Sequence, residues 1–211
     1  MQRAEGFTLV EVLVAMTVMA VMAMMAWQGV DGIVRARDAS QGHLEQTLRL
    51  NSVIGQWEQD LASIQDTKDV VPAIVCDGST VRLTRRAEGG LQVVAWALRP
   101  DATTSTWWRW ASPPVTTVGE LQDNWLRTQQ FQGGEPGQLR TLSGLSSWQV
   151  YFYRAEWSNC QSTGNVAAQA PTPSGPQGSS TPPPRGVRIV LSFAPGSGQD
   201  GTLTRDYLLT P

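Results

Sequence analysis

Gly6-Phe7-Thr8-Leu9-Val10-Glu11-Val12-Leu13-Val14-Ala15 opens an apolar run from Phe7 to Trp27 that carries one charge, Glu11, and two hydroxyls, Thr8 and Thr17. Wound as a helix, that run is about 31 Å long, the thickness of a bilayer's hydrocarbon core. A secretory signal peptide has a shorter apolar core, a basic start and small residues ahead of a cut that follows the core. Here the start, Met1-Gln2-Arg3-Ala4-Glu5-Gly6, sets Arg3 against Glu5, and Met24 is too large for a small-x-small site ending at Ala26. The stretch therefore reads as a membrane-spanning helix that is retained.

Glu11 is the exception within it, because an ionised carboxylate in hydrocarbon costs about 2.5–3.5 kcal/mol even on lenient insertion scales. It needs a partner. A cut between Gly6 and Phe7 creates one, since the new α-amine on Phe7 is a cation near neutral pH and methylation preserves its charge. That amine lies about one turn from Glu11 on its own chain, and a neighbouring chain can present its amine instead.

The ten residues quoted above resemble the processing and methylation motif of type IV pilins and type II secretion pseudopilins. The resemblance implies that Gly6 precedes the bond cut by a prepilin peptidase and that Phe7 becomes the N-methylated terminus. It also implies that Glu11 is the glutamate used in assembly and charge pairing. The acidic Glu5 beside the cut departs from the basic leaders usual in such chains. The implied fold is α+β and pilin-like, with a long N-terminal helix, transmembrane and then amphipathic, packed on antiparallel β-sheet.

Working outward, residues 1–6 read as a leader, 7–27 as the transmembrane segment and 28–66 as an amphipathic helix. In the latter, Val30, Ile33 and Val34 form one apolar patch and Leu44 and Leu48 another. Leu50, Ile54, Trp57, Leu61 and Ile64 follow at helical spacing. The charged residues between them, Glu58 and Asp60 included, read as the solvated side.

From residue 67 to 211 the pattern turns to period two. Ile74 with Cys76 and Val81 with Leu83 read as short strands, and Glu88-Gly89-Gly90 as a turn into a returning strand, Leu91 to Leu98. Trp107 to Trp110 and Ser147 to Trp157 read as further strands, while Val118 to Arg127 fits a short helix. Residues 159–185 are rich in Pro, Gly, Ser, Thr and Gln, with almost no large apolar side chain, and read as a disordered loop. Two strands follow, Gly186 to Phe193 and Thr202 to Leu209. This closing pair, together with Gln28-Gly29-Val30-Asp31 and Arg35-Ala36-Arg37, resembles the J-type minor pseudopilin. The long loop departs from that subgroup.

That resemblance implies a tip component of a periplasmic pseudopilus that helps initiate assembly and export of folded proteins. Its partners are then the prepilin peptidase, the I-, K- and H-type minor pseudopilins, the major pseudopilin and the inner membrane, with the C-terminal domain in the periplasm. A minor pilin of a type IV pilus is the alternative, and a membrane-tethered periplasmic enzyme or binding module is a third reading from another class.

Composition weighs against the third. A net charge of −2 with no basic stripe gives a nucleic-acid surface no electrostatic support. His43 is the sole histidine, so zinc sites and histidine-based triads all hang on one residue in a polar stretch of helix. Asp66, Asp69 and Asp77 lack the spacing of a calcium loop. No catalytic residue, metal or cofactor is expected. Cys76 and Cys160 are too far apart for a CxxC site, and they pair in an oxidising compartment only if the fold brings their Cα atoms within reach. The sequence leaves that open. Deleting residues 165–184, which offer no apolar anchor, is expected to change the melting temperature of the C-terminal domain by no more than about 3 °C in a thermal scan. A larger fall shows that the segment is packed.

Overall fold

The computed structural model describes residues 8–68, 70–129, 134–160 and 183–209. Two compact units result, Met1–Thr47 and Leu48–Pro211. The first is the larger part of helix α1, Leu9–Ala62, whose side chains up to Gln46 are all exposed. Its sequence holds no proline, and its hydroxyls are absorbed by the helix itself. Thr17 donates to the Leu13 carbonyl, Ser40 to Ala36 and Thr47 to His43. Asp31 and Arg35 pair one turn apart at 2.6 Å.

In the second unit the end of α1 packs on an antiparallel sheet of eight strands. These are β1 Ile74–Cys76, β2 Thr80–Ala87, β3 Gly90–Pro100, β4 Ser105–Ala111, β5 Gln138–Tyr153, β6 Trp157–Asn159, β7 Gly186–Phe193 and β8 Thr202–Leu208. A second helix, α2 Val118–Gln129, lies between β4 and β5 in sequence. The spatial order is β1-β2-β3-β4-β5-β7-β8, with β6 also on β5. The architecture is thus α+β, a long apolar N-terminal helix on a curled antiparallel sheet, as in pilin-like chains.

Along β3, successive side chains serve opposite faces, and both faces are covered. Val94 and Trp96 join the core under α1, with Val53, Ile54, Trp57 and Leu61. Val93 and Ala95 join a second cluster with Leu121 and Trp125 of α2. That double burial explains a strand that is apolar without interruption from Val93 to Leu98 rather than alternating. Burial also accounts for much of the tryptophan content: the rings of Trp57, Trp96, Trp107 and Trp148 form a continuous run with centroids 4.4–5.7 Å apart.

β5 begins nine residues before the strand expected at Ser147. Its first part pairs with β4 and its second with β7, and the register shifts where the partners change. Gly144 sits at that junction with φ +80°, and a Cβ there would lie 2.6 Å from the Ser197 side chain. The irregularity hides the alternation. The helix also stops earlier than residue 66, because beyond Ala62 the backbone turns to bond β2: Arg86 donates to the Ser63 carbonyl and Gln65 to that of Thr84. Of the expected loop at 159–185, residues 161–182 lie outside the described residues. Its described margins are part of the fold: Asn159 belongs to β6, Cys160 donates to the Val150 carbonyl and Arg185 to that of Tyr153.

Cys76 and Cys160 are joined by a disulfide with Cα atoms 5.9 Å apart. Because β4 and β7 flank opposite edges of β5, and β6 shares its edge with β4, β6 runs in the β4 lane. Three lanes separate it from β1, about 14 Å in a flat sheet. The bond therefore requires the sheet to curl around its core.

Asp60 overturns its assignment to the solvated side. It is completely buried. Its carboxylate accepts from Arg109 Nε at 2.7 Å and Nη2 at 2.9 Å, Arg85 Nη1 at 2.8 Å, Trp96 Nε1 at 2.8 Å and Gln56 Nε2 at 3.0 Å. Removing one member of a buried ion pair costs about 3–5 kcal/mol, because the remaining charges stay buried without compensation. Asp60→Asn is accordingly expected to destabilise residues 28–211 by about that amount in urea unfolding followed by Trp fluorescence. A change below about 1 kcal/mol would mean that the cluster is dispensable.

Candidate functional site

Glu11 lies in the first turn of α1, where the partial positive charge of the helix N-terminus favours a carboxylate. Thr8 immediately precedes the helix and caps it. The Glu11 N–H donates to Thr8 Oγ1 at 3.3 Å, and Glu11 Oε2 accepts from the Thr8 N–H at 3.5 Å and the Thr8 hydroxyl at 3.4 Å. This is a capping box, in which residue and cap satisfy each other's donors. The T-x-x-E spacing of Thr8 and Glu11 is the sequence signature of that box. Gly6 and Phe7 lie outside the described residues.

The described part of the first turn therefore holds one carboxylate with both in-chain contacts on a single oxygen, Oε2. Further along α1, Val30, Ile33, Val34, Leu44 and Leu48 all remain exposed, Ile33 to 71%. The stripe from Ile54 to Leu61 is buried by the sheet, so the two apolar stretches of the helix have different fates.

Elsewhere, the loop acids Asp77 and Asp66 are occupied by local structure. Asp77 Oδ1 caps its own turn through the Ser79 and Thr80 N–H groups, and Oδ2 meets Arg82 at 3.0 Å. Asp66 accepts from the Lys68 N–H, and Asp69 lies outside the described residues. Burial pulls the Arg82 guanidinium below the usual arginine range, and Asp77 opposes that effect. On the outer face of β7 and β8, Arg188 grips Asp206 through two bonds of 2.6 Å and lies 4.3 Å over the Trp157 ring. Those bonds hold the Asp206 carboxyl below its ordinary value. This contribution is present above the unfolded carboxylate value and fades as pH falls through the folded one. Both side chains are substantially exposed, so solvent screens most of it.

Residues 1–27 match the prokaryotic N-terminal methylation motif. The match covers residues 1–6, the first turn and the apolar run, and stops at residue 27. A comparison with curated proteins finds no match. The motif supports a pilin-like or pseudopilin-like chain and implies processing by a prepilin peptidase and assembly with other pilin-like chains. The single apolar helix long enough to cross a bilayer among the described residues fits a single-pass anchor followed by a soluble domain.

In an assembly of this kind the exposed patch at Val30, Ile33, Val34, Leu44 and Leu48 has apolar area to bury, at about 25 cal/mol per Å². Changing Ile33 and Leu44 together to Asp is expected to abolish co-purification with pilin-like partners and to leave the melting curve of the C-terminal domain unchanged. Retained binding, or unfolding, refutes a helix interface there.

Proposed function

We propose that this chain is a J-type minor pseudopilin of a type II secretion system, a tip subunit of the periplasmic pseudopilus. In this reading residues 1–6 are a leader removed by the prepilin peptidase, and Phe7 becomes the N-methylated terminus. Residues 7–27 hold the subunit in the inner membrane until assembly, with the C-terminal domain in the periplasm. Glu11 then pairs with an N-terminal amine in the filament. The protein's role is structural: it helps to prime the filament, together with the I-, K- and H-type minor pseudopilins and the major pseudopilin.

The observation that carries the reading is the methylation motif placed at the start of an apolar, membrane-length helix, with Glu11 as the lone charge of that run. The closing hairpin of β7 and β8 supports the J-type level, since it is the second place where the sequence resembles that subgroup. A disulfide suits an oxidising compartment such as the periplasm.

Mass spectrometry of the membrane-extracted protein tests maturation. The expected chain begins at Phe7 and carries an N-methyl group. An intact Met1 in an assembled complex, or a terminus near Trp27, overturns the reading. Co-purification with I- and K-type subunits, rather than with type IV pilus components, is the outcome expected at the level of the machinery.

A further inference from the structure

The first turn of α1 shows how Glu11 is held before any second chain reaches it. Both side-chain contacts from Thr8, its N–H at 3.5 Å and its hydroxyl at 3.4 Å, converge on Glu11 Oε2. Among the described residues Oε1 makes no hydrogen bond to a protein group. An ionised carboxylate offers about four lone-pair sites, so two contacts on one oxygen leave the other able to accept. Thr8 also sits directly beside Phe7, the residue whose amine a cut after Gly6 would free.

We propose that Thr8 is a positioning residue for Glu11: it ties Oε2 back onto the helix's own first turn and presents Oε1 for the amine of an incoming chain. The donors of the box, a peptide N–H and a hydroxyl, exist before and after a cut at Gly6. The carboxylate is thus partly satisfied within its own chain while the subunit waits in the membrane, and its rotamer is already chosen when a cation arrives. Preorganisation of this kind lowers the cost of forming the pair, since the side-chain freedom otherwise lost on assembly has been given up in advance. This rests on the reading of Glu11 as the assembly carboxylate, but the box itself does not.

The two layers are tested separately on the full processed chain in phospholipid bicelles. Side-chain couplings measured by NMR should show one dominant Glu11 rotamer in the wild type and in Thr8→Ser, and averaging in Thr8→Val. Exchange of the Thr8 amide should be about tenfold faster in Glu11→Ala than in the wild type, while Glu11→Gln, which still accepts from that N–H, stays slow. A Glu11 rotamer already averaged in the wild type, or unaltered by Thr8→Val, overturns the positioning role; a threonine that merely caps the helix gives that result.

With the box in place, Thr8→Val should reduce recovery of the chain in cross-linked complexes with pilin-like partners at least about fivefold, and Thr8→Ser should restore it. Equal recovery of all three overturns the presentation of Oε1. Failure of processing at Gly6 would instead strike the proposed function and leave the rotamer and exchange results intact.

Discussion

A single buried carboxylate fixes how the helix end meets the sheet. Asp60 collects donors from β2, β3 and β4 and from its own helix, so three adjacent strands are registered against one point on α1. Hydrophobic burial of Ile54, Trp57 and Leu61 supplies the driving force, but burial is non-directional and tolerates sliding. The Asp60 cluster does not. An axial shift of one residue, about 1.5 Å, breaks several of its bonds at once and leaves the buried Arg109 and half-buried Arg85 guanidinium groups without that counter-charge. The tryptophans fit the same logic. Trp96 packs its ring against Trp57 and Trp107 and spends its one N–H on Asp60, which reconciles a large aromatic surface with a polar handle.

The disulfide closes what the cluster starts. Strand β1 is three residues long and lies at one edge of the sheet, where pairing alone would hold it weakly. Its Cys76 is joined to Cys160, across a sequence separation of 84 residues. Cross-linking a loop of that size removes a large part of the unfolded chain's freedom. It also anchors Cys160, where residues 161–182 leave the described structure, while Arg185 bonds to β5 where they return.

The apolar helix and most strands could be read from periodicity, because β2, β3, β4, β7 and β8 lie between clear turn signals, while the α+β, pilin-like class followed from the resemblance of the N-terminal motif. Three features escaped, each for a physical reason. The first part of β5 changes partners at a register shift, which breaks the alternation around Gly144. Asp60 reads as solvated because it falls between the apolar positions Trp57 and Leu61. Its position, three residues after Trp57 and one before Leu61, nevertheless lies on the buried stripe, and Arg109 among the tryptophans of β4 was a complementary signal. In the candidate site, the methylation motif was legible and the T-x-x-E spacing signals the capping box, whereas the choice of Oε2 as the oxygen that Thr8 holds depends on side-chain geometry.

Polar atoms on the apolar stretch of α1 obey a stricter rule than those on its continuation. In hydrocarbon no water answers a stray donor or acceptor, so each must be satisfied by protein. Thr17 returns its hydroxyl to the Leu13 carbonyl, and Thr8 turns its hydroxyl and N–H to Glu11. What remains is one carboxylate oxygen, Oε1, and the negative charge it shares. The groups that reach this carboxylate from Thr8 are a hydroxyl and an amide, and these cannot cancel a full charge. The unmet demand is therefore specific: it calls for a cation that can reach the first turn of a membrane helix. In the proposed reading, the Phe7 α-amine freed by a cut after Gly6 would bring that charge.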